Sequence, residues 1–69
     1  MKNIDERKRI GRQLADIRKA KGMTQQEVAD KAGLLRPHIA RIEAGSFSVG
    51  IDTLAAIADA LGQKIKIEE

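Results

Sequence analysis

Apolar residues recur at helical spacing along most of this chain, and the recurrences are separated by residues that start or stop helices. Ile10, Leu14 and Ile17 stand at i, i+4 and i+7, the signature of one buried helix face. Asn3 and Glu6 form a capping box ahead of that run and Gly22 follows it, so a first helix is predicted over roughly 4–21. Gly11 and Ala15 flank the stripe and mark a close approach by another helix, although Gly11 costs about 1 kcal/mol of helix stability relative to alanine. The second helix is marked more sharply. Thr24 and Glu27 spell the S/T-x-x-E box, and Met23 is placed to staple onto Val28. Val28, Ala29 and Ala32 share a face, and Gly33 supplies the positive φ needed to leave the helix, which ends at about Ala32.

Leu35, Ile39 and Ile42 again fall at i, i+4 and i+7 and predict a short third helix, around 36–44, whose apolar stripe lies back on the second. Ala29 opposite Ile39 is small enough to let the two cross steeply. Proline favours the first helical position and pushes its predecessor out of the α region, which puts the start at Pro37 with Arg36 in the capping place. Residues 45–50 read as a loop, with Phe47, the only aromatic residue, as a core plug beneath it. Ile51, Leu54, Ile57, Ala58 and Leu61 predict a fourth helix closed by Gly62.

From Gln63 to Glu69 polar and apolar residues alternate with period two, the pattern of a half-buried strand. With no other strand in the chain, it would have to pair with a second copy. An antiparallel pair about a two-fold axis would place Ile65 and Ile67 of both copies on one face as a dimerisation element. The expected architecture is therefore all-α: a four-helix, at most five-helix, domain over 1–62, with a C-terminal β-strand or tail over 63–69.

The stretch from Met23 to Gly45 thus reads as a helix-turn-helix. At Thr24-Gln25, Val28-Ala29, Gly33, Ile39, Arg41-Ile42-Glu43 and Gly45 it resembles the Cro and phage-repressor family of DNA-binding domains, over roughly residues 10 to 62. It departs from that family's pattern at Leu35, where Ser or Thr is usual before the second motif helix, and at Val49, where proline is common. In such a motif the second helix enters the major groove with its N-terminal residues toward base edges, here Arg36, Pro37, His38 and, one turn on, Arg41. The resemblance implies base contact by Arg36 and Arg41, phosphate contact by Gln25 with Ser46 and Ser48 as further candidates, and a structural ion pair between Arg18 and Glu43. Arginine offers guanine O6 and N7 a bidentate fork, while Pro37 has no donor and can only pack on a thymine methyl or shape the backbone.

Charge sharpens this picture. The net charge of the 69 residues is only +3, but residues 1–21 hold eight Lys or Arg against three acids, while residues 46–69 hold two against four. Arg7, Lys8, Arg9 and Arg12 would then cover the outer side of the first helix, as a solvated face or as loose phosphate contacts. A chain this short supports only a modest core, which makes self-association expected. With one His, no Cys and two Ser, there is no neighbouring nucleophile and base and no ligand set for a metal. Neither enzyme activity nor a cofactor is expected, and His38 reads as a side chain near DNA.

The absence of cysteine and of any apolar span points to a soluble, cytoplasmic protein away from membranes. The expected function is a homodimeric, sequence-specific transcriptional repressor on a near-palindromic double-stranded operator. The alternatives are an antitoxin that holds a toxin protein while repressing its own operon, and a protein-interaction module that keeps the fold without binding DNA.

Overall fold

A computed structural model describes residues 4–46 and 48–68 and contains four helices: α1 (Ile4–Ala20), α2 (Gln25–Ala32), α3 (Arg36–Ala44) and α4 (Ile51–Ala60). The Asn3 cap, the Phe47 plug and Glu69 lie outside the described residues. At the head of α2, Thr24 Oγ1 accepts the Glu27 N–H at 3.0 Å and Glu27 Oε1 accepts the Thr24 N–H at 2.8 Å, which satisfies two otherwise orphaned donors. At its end Gly33 turns left-handed (φ 72°). The Leu34 N–H then reaches back to the Ala29 carbonyl at 2.9 Å and the Gly33 N–H to that of Asp30 at 3.4 Å, a Schellman stop. The same pair of bonds recurs after the other helices, from Met23 to Arg18, Ser46 to Arg41 and Gln63 to Ala58.

Leu14, Val28, Ala29, Ile39, Ile42, Ile57 and Leu61 form one buried cluster, with Ile10, Ile17, Met23, Leu34 and Leu54 packed partly buried against it. α3 lies against both α1 and α2, and α2 packs on α4. At the α2–α3 crossing Ala29 and Ile39 are sealed from solvent, 0% and 1% exposed. Larger side chains on α2 would hold the two helices apart.

Four expectations are corrected. Leu35 does not belong to the buried stripe of α3, being 68% exposed; it is the N-cap, in extended conformation (φ −89°, ψ 143°), so the helical period does not reach it and Leu34 turns inward instead. The helix starts at Arg36, with Pro37 one position later; an N–H at that second position would have no intrahelical acceptor, so proline loses no bond there. Residues 63–68 form no strand, because period-two alternation creates no ladder unless a neighbouring strand supplies donors and acceptors. Ile51, assigned to the stripe of α4, is also turned out, 78% exposed at the first turn of its helix.

One close approach sets the position of α3. A Cβ on Gly11 would stand 2.7 Å from the Glu43 carbonyl oxygen and nearer still to that of Ile42, and one on Gly45 (φ 70°) would stand 2.7 Å from Lys8 Cα. Helix α1 therefore lies directly on the C-terminal turn of α3. Helix propensity alone says Gly11→Ala should stabilise by about 1 kcal/mol. The obstructing atoms are backbone and cannot rotate away, so we expect the reverse sign. An overpacking cost of roughly 1–3 kcal/mol should lower the thermal midpoint, and a circular-dichroism melt of Gly11→Ala showing a higher midpoint would contradict this packing.

Candidate nucleic-acid interface

Helix α3 has two unlike faces. Ile39 and Ile42 are buried and Glu43 is half-buried, while Arg36, Pro37 and Arg41 are exposed. Pro37 and Arg41, four residues apart, stand one above the other on the outer side. No side chain of the described residues caps the start of α3; Pro37 has no N–H there, and that of His38 donates to the Leu35 carbonyl at 3.0 Å. His38, in the same first turn, is half-buried.

The inner face is fixed by a polar cluster. Arg18 of α1 donates to both carboxylate oxygens of Glu43, from Nε at 2.7 Å and Nη2 at 3.0 Å, and its Nη1 donates to the Met23 carbonyl at 2.8 Å. Both side chains of the pair are nearly buried, 11% and 10% exposed. This bidentate geometry is the strongest form of carboxylate pairing. The hydrogen bond to Glu43 raises the Arg18 pKa above the ordinary arginine value, against the opposing effect of burial, so Arg18 stays charged wherever the domain is folded.

The cluster extends to the outer face. Glu43 Oε1 also accepts from Gln25 Nε2 at 3.0 Å, and Gln25 Oε1 accepts from Arg36 Nη1 at 3.4 Å. The order Arg18, Glu43, Gln25, Arg36 is thus a continuous chain from the interior to the exposed start of α3. Glu43 takes the amide nitrogen of Gln25, which leaves the amide oxygen for Arg36. Spacing in the sequence does not show this link, since Gln25 and Glu43 are 18 apart. Its one legible trace is that Gln25 and Arg36 each open a helix of the motif.

Gln25 is therefore placed between Glu43 and Arg36 with both ends of its amide engaged. Ser46 is exposed, with its hydroxyl donating to the Arg41 carbonyl at 3.2 Å, and Ser48 is exposed in the loop. The basic residues of α1 are divided: Lys8 lies against Gly45 at the end of α3, while Arg9 pairs with Glu6 along an open cleft. That cleft, about 790 Å³, lies between α1 and α4 and is lined by Ile10, Leu14, Ile17, Leu54 and the tail residues Ile65 and Ile67. Among the described residues no three His, Cys, Asp or Glu gather into a metal-binding group, and no helix is long and apolar enough to cross a membrane.

Residues 14–67 match the helix-turn-helix family model. The chain belongs to this helix-turn-helix family. It is 38% identical over 56 residues to the immunity repressor protein of Bacillus phage phi105, a match covering 81% of this chain and 39% of the repressor. It is 36% identical over 59 residues to an uncharacterized HTH-type transcriptional regulator of Sinorhizobium fredii, covering 86% of this chain and 77% of that protein. The chain thus spans about two-fifths of the phage relative (39%) and most of the second. Among solved structures, it resembles the restriction-modification controller protein C.AhdI from Aeromonas hydrophila, with a TM-score of 0.84 and 28% identity, covering 87% of this chain and 91% of that one. It also resembles the clp gene regulator ClgR from Corynebacterium glutamicum, with a TM-score of 0.81 and 29% identity over 84% of this chain and 62% of that one.

Removal of Glu43 tests the cluster. Glu43→Ala leaves the nearly buried Arg18 without its carboxylate, at a cost of order 3 kcal/mol. In a domain of this size that should lower the thermal midpoint by more than about 10 °C. The double substitution Arg18→Leu with Glu43→Met removes the stranded charge and should recover much of the loss. A melt in which Glu43→Ala matches the parent would show that the pair contributes no more than an exposed one.

Proposed function

We propose that this chain is a sequence-specific, double-stranded DNA-binding regulator of transcription, of repressor type, that places α3 in the major groove. The observation that carries the reading is the division of α3. Ile39, Ile42 and Glu43 fix its inner side to α1 and α2, and the outer side presents Arg36, Pro37 and Arg41, all exposed. A helix held this way presents side chains to base edges without having to fold first. The names of the relatives, a phage immunity repressor and a transcriptional regulator, point the same way.

In this reading Arg36 and Arg41 read bases, each able to span guanine O6 and N7, and His38 and Pro37 shape the contact beside them. Gln25 holds Arg36 in place through its amide and offers its backbone N–H, at the head of α2, to a phosphate. Ser46 and Ser48 follow the phosphate backbone at the far end of α3. We expect Arg36→Ala and Arg41→Ala each to relax base preference at one operator position, by about 1–3 kcal/mol of discrimination. Selection from random duplexes followed by titration against operator and scrambled DNA measures this; equal preference in parent and variants would refute the assignment. A salt series separates DNA binding from a protein-only role, since affinity for duplex must fall linearly in log salt as counterions are released.

A near-palindromic operator would need two copies, with their α3 helices about one helical turn, roughly 34 Å, apart. The tail is our candidate for the contact: Ile65 and Ile67 are 46% and 96% exposed beside the apolar cleft between α1 and α4. In sedimentation the full chain should run as a dimer and the Ile65→Asp, Ile67→Asp variant as a monomer. Equally tight dimers in both would place the interface elsewhere.

A further inference from the structure

Leu35 departs from two local rules in one place. It occupies the N-cap of α3, where Ser, Thr, Asp or Asn is the rule, and its side chain makes no bond to the first turn, in which Pro37 has no N–H and that of His38 donates to the Leu35 carbonyl at 3.0 Å. Its side chain is also 68% exposed, while Leu34 fills the neighbouring inward position. Thr24 shows that the same fold installs a complete cap on α2. A single exposed leucine is ordinary on a protein surface. The position of this one is informative, because it directly precedes Arg36 and Pro37 at the end of α3 that faces base edges in the reading above. Local rules are broken most often where function requires it.

We propose that Leu35 is a specificity-determining residue that packs on the C5-methyl of a thymine in the major groove, an inference that rests on the DNA-binding reading. Thymine's methyl is the one apolar group that base pairs present in that groove. Leucine has no donor for a phosphate or a base acceptor, so packing on a methyl is the contact open to it there. An apolar protein partner fits less well, since docking on Leu35 would also cover the exposed guanidinium of Arg36, whose desolvation is costly. On this account the cap of α3 is forgone for a base contact.

The experiment replaces thymines of the selected operator one at a time by deoxyuridine, which removes only the methyl. Binding is compared for the parent, Leu35→Ser and Leu35→Ala. Leu35→Ser puts a preferred N-cap residue at a position whose carbonyl already accepts the His38 N–H, and melts monitor that α3 stays intact. For the parent we expect one thymine per half-site at which loss of the methyl weakens binding about fourfold, the value of one buried carbon. That penalty should vanish in both variants while penalties at other positions persist. A penalty that survives in Leu35→Ser, or a parent indifferent to every thymine methyl, overturns the assignment to Leu35 and leaves the DNA-binding reading standing. If the parent selects no duplex at all, that reading fails and the assignment falls with it.

Discussion

A single carboxylate holds three helices of this domain in register. Glu43 accepts two hydrogen bonds from Arg18 of α1 and one from Gln25 of α2 while itself sitting in the last turns of α3. Apolar contacts between the same helices are non-directional and would tolerate a slide or rotation of α3. A bidentate ion pair at 2.7 and 3.0 Å would not. Directional bonds among nearly buried polar groups contribute less to net stability than to a single arrangement, and here the arrangement determines which residues of α3 face outward. The close approach at Gly11 acts in the same sense, since it lets α1 reach the backbone of α3 at the turn where Glu43 is held.

Much of this was legible in the chain because the signals are local. The Thr24–Glu27 box, the Gly33 stop and the 3.6-residue period of Ile10, Leu14 and Ile17 each act within a few residues, and the helices follow from them. The misreadings also share a cause. Leu35 lies just outside α3 and Ile51 is the first residue of α4, so the period assigned both to a buried face that does not extend to those helix ends. Residues 63–68 alternate as a strand would, yet alternation describes only which face each side chain would take, and a strand also needs a partner for its backbone.

The site was less legible than the fold. Arg36, Pro37 and Arg41 could be placed on the second motif helix, and Arg18 paired with Glu43, from the family resemblance, but the tie that runs on from Glu43 through Gln25 to Arg36, in a chain that joins three helices, could not. Each of its members taken singly is an ordinary polar residue. Such a chain of bonds depends on how helices cross, which emerges only once the core has set their angles. The amide of Gln25 is the clearest case: its orientation is decided by Glu43, and Arg36 then meets an oxygen instead of a nitrogen.

The Schellman stop at Gly45 also bears on the thermodynamics of any encounter. Its bonds from Ser46 to Arg41 and from Gly45 to Ile42 end α3 at a defined residue, and Lys8 leaves no space there for a side chain. With its far end fixed and its inner side anchored, α3 has little backbone freedom left to surrender. Association through its outer face would then carry almost no ordering entropy, and the heat-capacity change should track only the surface covered, without the larger change that accompanies folding on binding.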